Sequence, residues 1–287
     1  IVFNGEIYNH QELREEINKI SSEKWQTDHS DTEVILRAYK LWGIDFLKKL
    51  LGMFAIAIWD ENINELFLIR DRIGIKPLYW SIHNGRLTFA SEIKALLKDP
   101  NQIKEVDDEA FQSYFSHICT PGNKTLFKGI NKLEPGNFLR VKKLTSDIKI
   151  ESWYEILENV SENNLKESEI YDSVLDILSD AVRVRKVSDV PIGVFLSGGI
   201  DSSTNAVLFS KDETNPINTF SIGYDKDYSS YNNELHHAKF MADRVASNHF
   251  EKILSIDDVM SFIPKMIHLQ DEPIGDPVCI PLYYVSK

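Results

Sequence analysis

The chain has 287 residues, 43% hydrophobic and 26% charged, which is ample material for one large globular domain or two ordinary ones. A net charge of −12 argues against general binding along a nucleic-acid backbone but does not exclude a small anion in a local pocket. Cys119 and Cys279 are far apart without CxxC spacing, no apolar run of eighteen residues could span a membrane, and no signal peptide is visible. A disulfide framework and a cysteine zinc site are therefore not expected, the two thiols are expected to pack in the interior, and a reducing, cytoplasmic setting fits.

Ile1-Val2-Phe3 reads as the end of a strand, and a start in mid-strand without Met is expected to be a cut. Asn4-Gly5-Glu6-Ile7-Tyr8-Asn9 follows it. An amide and a carboxylate flanking a glycine suit a small polar ligand, and an α-amino acid needs acceptors for its ammonium, which Glu6 and Asp31 could supply. A polar turn at Asn4-Gly5 and a helix cap at Asp31 are the plainer readings of the same residues.

His10 to Ile20 is a charged helix, and Ser30-Asp31-Thr32-Glu33 has capping-box spacing ahead of Val34, Ala38 and Leu41 on one face. Strands are expected at 53–60, 65–71, 77–82 and 86–92, with Asn84-Gly85 turning a hairpin. Arg70, Asp71 and Arg72 at a strand end suit structural ion pairs. Two Pro-Gly pairs and the strand FLRVKK lie within 121–150, and a polar, acidic linker is expected at 158–169.

After that linker, Ile170, Val174, Ile177, Leu178, Ala181 and Val182 keep helical spacing. An apolar strand (192–196), a Ser/Gly turn, a helix from about Asp201, the strand NTFSIG and a helix around 232–246 give the rhythm of a parallel α/β domain with two clear strands. The four histidines His236, His237, His249 and His268 lack metal-ligand grouping and read as surface or core residues.

Ser197-Gly198-Gly199-Ile200-Asp201-Ser202-Ser203 stands between that strand and that helix. A helix N-terminus offers unpaired N–H groups and partial positive charge, two glycines let backbone approach an anion, and three hydroxyls add donors. Asp201 would repel phosphate unless a cation such as Mg²⁺ lies between them. A serine-rich helix cap is the plainer reading. The spacing fits neither a Walker loop, a dinucleotide fingerprint nor a nucleophile elbow.

The S-G-G-x-D-S-S sequence resembles the pyrophosphate loop of N-type ATP pyrophosphatases, and Ser188 to Leu196 before it resembles the asparagine synthetase version. N-G-E-I-Y-N, S-D-T-E, R-D-R-x-G-x-K-P-L-Y, F-A-S-E-x-K-A-L, Leu133-Glu134-Pro135-Gly136 and Asp271 to Pro277 resemble segments of glutamine-dependent asparagine synthetases in the same order. The resemblance covers essentially the whole chain.

It implies an α+β N-terminal-nucleophile (Ntn) hydrolase-like glutaminase domain over 1–157, then an α/β parallel-sheet adenine-nucleotide alpha-hydrolase domain over 170–287, both incomplete. Asn4, Gly5, Glu6 and Asp31 would bind glutamine. Leu196, Ser197, Gly198, Gly199, Asp201, Ser202, Ser203 and Ile222 would bind ATP, with Mg²⁺ at Asp201.

The implied activity is ATP-dependent synthesis of asparagine from aspartate and glutamine through an aspartyl-adenylate, releasing AMP and pyrophosphate. No nucleic acid or membrane takes part, and a homodimer is an assembly the resemblance allows. The family's N-terminal cysteine nucleophile and its second loop, S-G-E-G-x-D-E, are not in this sequence, so no catalytic residue is assigned and the chain alone is expected to be inactive. A related acceptor, such as a cell-wall or polysaccharide carboxylate or a β-lactam precursor, and a catalytically degenerate nucleotide-binding protein are the alternatives.

Overall fold

The computed structural model describes residues 1–142, 147–157, 160, 164–188, 190–226, 234–276 and 278–287. The chain divides into two compact units, Ile1–Glu162 and Asn163–Lys287. Much of the expected linker, at 158–159 and 161–163, lies outside the described residues.

In the first unit β1 (Val2–Ile7) leads into α1 (His10–Ile20) and α2 (Asp31–Trp42), a 3-10 helix (Gly43–Lys49), then β2 (Gly52–Asp60) and β3 (Glu65–Arg70). The hairpin β4 (Tyr79–His83) and β5 (Arg86–Ala90) follows, then α3 (Ile93–Leu96), α4 (Asp108–His117), β6 (Ile130–Lys132), β7 (Asn137–Lys142) and β8 (Ile148–Ser152). The expected hairpin turn is present, with Asn84 and Gly85 both at positive φ. Lys143 of the expected strand FLRVKK lies outside the described residues.

Two antiparallel sheets form, in the orders β1-β2-β3-β7-β8 and β5-β4-β6. The larger sheet is covered on both faces, which is why FAIAI in β2 has no polar alternation. Phe54, Ile56 and Ile58 pack with Leu13, Ile17, Val34, Ile35 and Ala38 of the helices. Ala55, Ala57, Leu68 and Leu139 pack with Leu78, Leu133 and Trp80 on the side of the smaller sheet. The result is a helix, sheet, sheet layering, in which each fully buried Phe, Ile or Leu contributes about 1.5–3 kcal/mol.

Several expectations need correcting. Asn4, Gly5 and Glu6 lie inside β1 rather than after it, because pairing with β2 continues through Glu6↔Met53 and Ile7↔Gly52. The buried face of α2 is Val34, Ile35 and Ala38, with Leu41 exposed. Cys119 is exposed and Cys279 half-buried, so neither is a core residue.

The second unit runs α5 (Glu167–Val184), β9 (Gly193–Phe195), α6 (Ile200–Ser210), β10 (Asn218–Tyr224), α7 (Leu235–Arg244), β11 (Asn248–Leu254), α8 (Ile256–Leu269) and α9 (Cys279–Val285). α5 begins inside the expected linker, and 232–233 of the expected helix around 232–246 lie outside the described residues. Three strands, not two, form a parallel sheet in the order β11-β10-β9.

β11 escapes hydrophobic patterning because polar His249 fills a core position, its side chain 3% exposed and its Nδ1 2.9 Å from Thr219 Oγ1. Leu196, Ala206, Ala238 and Ala242 form the core between β9, α6 and α7, and Leu254, Phe262 and Ile280 a second one under α8 and α9. α5 has the expected helical period but buries none of its residues. Among the described residues no helix is long and apolar enough to cross a membrane.

Candidate functional sites

The Ser/Gly loop leaves the carboxyl end of β9 and enters α6 directly. Its path is fixed from within. Ser202 Oγ accepts from Ser197 N–H (3.2 Å), lies 2.9 Å from Ser197 Oγ and donates to Gly199 O (3.2 Å). Gly198 is at φ +86°, and a Cβ there would come within 2.6 Å of Ala238 N and of His237 Cβ. The loop thus packs on the first turn of α7 so closely that only glycine fits.

No side chain caps α6 at Gly199, whereas Ser30, Asp107 and Ser255 cap α2, α4 and α8. The first N–H groups of α6 therefore have no side-chain acceptor among the described residues. Ser203 Oγ is shielded from solvent and has no hydrogen-bond partner among the described residues. Asp201 is exposed on the first turn.

Beside the loop is a cleft of about 480 Å³ at the carboxyl ends of β9 and β10, the usual ligand position of an open parallel sheet. Leu196, Ser197 and Ile222 line it. Gly198, Gly199, Asp201, Ser202 and Ser203 carry the chain from its edge into α6. Patterning along the chain missed the other walls, Phe220, Tyr224, Leu235 and Leu282, which come from β10, α7 and α9. Asp276, inside the flagged Asp271–Pro277 segment, also lines the cleft. Pro277 and Asp189, from the two flagged segments, lie outside the described residues. Among the described residues no three His, Cys, Asp or Glu side chains group as metal ligands.

In the first unit, Asn4 and Glu6 share one face of β1 by strand alternation. Asn4 Nδ2 donates to Ser91 Oγ (3.0 Å) beyond β5. A Cβ on Gly5 would sit 2.1 Å from Met53 O, and one on Gly52 2.2 Å from Glu6 O, so two glycines let β1 and β2 approach around Glu6. Asp31 Oδ2 accepts from Ile7 N–H at 3.2 Å, bringing the first turn of α2 to the strand that carries Glu6.

Half of the capping box forms, with Ser30 Oγ accepting from Glu33 N–H. The Glu33 carboxylate turns instead to Thr27 Oγ1 (2.6 Å) and the N–H groups of Gln26 and Thr27. The Thr27 hydroxyl bond leads the effects that bring its pKa down to about 2. Trp25 is sandwiched between the Arg14 and Arg37 guanidinium groups, each 4.0 Å from its ring. These contacts hold the loop that delivers Asp31.

Arg70, Asp71 and Arg72 bind backbone rather than one another. Arg70 donates to Lys76 O, Leu133 O and Gly74 O, and Arg72 to Leu50 O. The 1% exposed Asp71 accepts from four N–H groups, those of Phe54, Ile73, Ile75 and Lys76. Asn9 closes the neighbouring loop, its Nδ2 on Lys49 O and its Oδ1 on Leu51 N–H, both at 2.9 Å.

A family model described as a glutamine amidotransferase domain matches residues 1–154, more than half of the chain. The chain belongs to the glutamine amidotransferase family. An asparagine synthase model matches residues 173–287 of this family member, so the amidotransferase domain precedes an asparagine synthase domain.

Asparagine synthetase [glutamine-hydrolyzing] 1 of Bacillus subtilis is 39% identical over the whole of this chain and 44% of its own length. A putative asparagine synthetase [glutamine-hydrolyzing] of Mycobacterium tuberculosis is 35% identical over the same shares. One of Methanocaldococcus jannaschii is 33% identical, over all of this chain and 54% of its own. This amidotransferase chain thus spans about half the length of these relatives.

Proposed function

We propose that the two units are the glutamine-binding and ATP-binding parts of a glutamine-hydrolysing asparagine synthetase. The observation that carries the reading is the uncapped N-terminus of α6, beside a cleft lined by Leu196, Ser197 and Ile222. The volume is within the range of small-molecule sites, the loop offers free N–H groups, and the apolar strand ends suit a purine. The strand, loop and helix order supports an adenine-nucleotide alpha-hydrolase fold of the N-type ATP pyrophosphatases. The helix, sheet, sheet layering of the first unit supports an Ntn-type fold.

The β-carboxylate of aspartate attacks the α-phosphorus of ATP, and the bond to the departing pyrophosphate breaks. Ammonia from glutamine then adds to the acyl carbon, and AMP leaves. The first N–H groups of α6 and the loop donors hold the pyrophosphate and stabilise its growing charge. Exposed Asp201, with no ion pair among the described residues, fits a Mg²⁺ ion that would offset phosphate charge. At the other site Asp31 and Glu6 accept from the ammonium of glutamine, and Asn4 offers its amide to the reacting carbonyl.

Aspartate-dependent AMP and pyrophosphate release by the full-length protein tests the reading. Asp201→Ala should lower it by roughly 100-fold. Undiminished release would overturn the loop assignment, and no AMP with aspartate would overturn asparagine synthesis. For the glutamine site the informative change is Asp31→Asn, whose side-chain oxygen still accepts from Ile7 N–H while the charge is lost. The KM for glutamine should rise about tenfold or more, with ammonia-driven synthesis unchanged. Equal loss of both would count against Asp31 as an ammonium ligand.

A further inference from the structure

We propose that the turn end of the β4–β5 hairpin carries a binding site for a small zwitterion, a free α-amino acid, distinct from the glutamine residues of β1 and α2. A hollow of about 230 Å³ opens there, and every residue around it is polar or charged. It is smaller than the roughly 300 Å³ at which drug-sized sites begin, which suits one small polar molecule.

Two opposite charges stand side by side at its wall. Arg86 Nη1 lies 3.3 Å from Asp99 Oδ2. Asp99 is fixed by its other oxygen, which accepts from Asn101 N–H (3.0 Å) and Asn101 Nδ2 (3.2 Å). The backbone N–H of Asn101, then Arg86 and His83, hold its carboxyl below the usual range, so it stays ionised. Asp99 is the one partner of the Arg86 guanidinium among the described residues, which leaves donors for a ligand carboxylate. Asp99 Oδ2 offers an acceptor to an ammonium. A bare phosphate would meet the Asp99 charge, and a bare cation the Arg86 charge.

The interior wall is under-satisfied in the same place. Gln102 is 6% exposed and lines the hollow, yet its Oε1 has no partner among the described residues and its Nε2 makes one 3.5 Å contact to Ile103 O. Thr88 lines the hollow from β5. Its cross-strand partner Ser81 is 1% exposed, with its hydroxyl shielded and without a hydrogen-bond partner among the described residues. A shielded hydroxyl without a partner among the described residues is uncommon, and Ser81, which carries one, stands cross-strand from Thr88 of this polar hollow. The position is separate from the other site. Asn4 reaches Ser91, five residues from Arg86 past the opposite end of β5 and on the order of 16 Å away at strand rise.

Titration of the 287-residue chain with each free amino acid, followed by calorimetry and amide NMR shifts, tests this. Inorganic phosphate and methylammonium serve as single-charge probes. At least one amino acid should bind and shift the amides of 83–88 and 99–102, with neither probe competing. Arg86→Ala, at a 68% exposed side chain that the fold does not need, should weaken that binding about tenfold or more, and Asp31→Asn should leave it unchanged. Three results would overturn the proposal. They are no amide response to any amino acid (ordered water only), phosphate binding as tightly as the zwitterion, or a response lost with Asp31→Asn and kept with Arg86→Ala. None of them bears on the ATP cleft.

Discussion

Gly198→Ala should destabilise the second unit by about 2–5 kcal/mol and remove measurable nucleotide binding. Two costs combine. An alanine at φ +86° adopts a conformation L-residues avoid, at roughly 1–2 kcal/mol. Its methyl must also displace the backbone at Ala238 N, 2.6 Å away, and overpacking of this kind costs about 1–3 kcal/mol.

The neighbouring glycine is the control. At Gly199 a Cβ would meet only Ser197 Oγ at 3.4 Å, and φ is −69°, so Gly199→Ala should leave folding stability equal or slightly raised. Urea unfolding followed by circular dichroism, with calorimetry of ATP binding, separates the two variants. Equal midpoints and equal affinities would show that the contact between the loop and α7 is not what shapes the site.

Asp71→Ala should cost the first unit about 4 kcal/mol, and lower its melting temperature by roughly 10 °C. Four N–H groups lose their acceptor together, and each one left unmatched away from water costs about 1–3 kcal/mol. Asp71→Asn keeps one acceptor oxygen and should fall between. Because the partners are backbone dipoles, the loss should change little between low and high salt, whereas an ion pair would be screened. A strongly salt-dependent loss would restore the ion-pair reading of Arg70-Asp71-Arg72.

Those three residues illustrate where legibility stops. Their charge is evident in the sequence, but not that the acceptors lie at Leu133 and Leu50, far along the chain. Strands buried on both faces, such as β2 and β3, were readable because their hydrophobic runs need no partner to be recognised. β1 extends past its apolar start, since Asn4 and Glu6 are polar and only pairing with β2 keeps them in a strand. β6 has three residues, too few for a period, and β11 hides its inward face behind His249. The Ser/Gly loop was legible because its donors are consecutive. The cleft beside it was not, because its walls come from elements separated by dozens of residues and meet only in the folded sheet.

The division into two units has an optical consequence. All five tryptophans, Trp25, Trp42, Trp59, Trp80 and Trp153, lie before residue 163. Indole emission therefore reports on the amidotransferase unit alone, while the asparagine synthase unit is silent except through its tyrosines. An unfolding curve read by tryptophan fluorescence and again by far-ultraviolet dichroism will coincide only if the two units melt as one, so a single sample can reveal whether their stabilities are coupled.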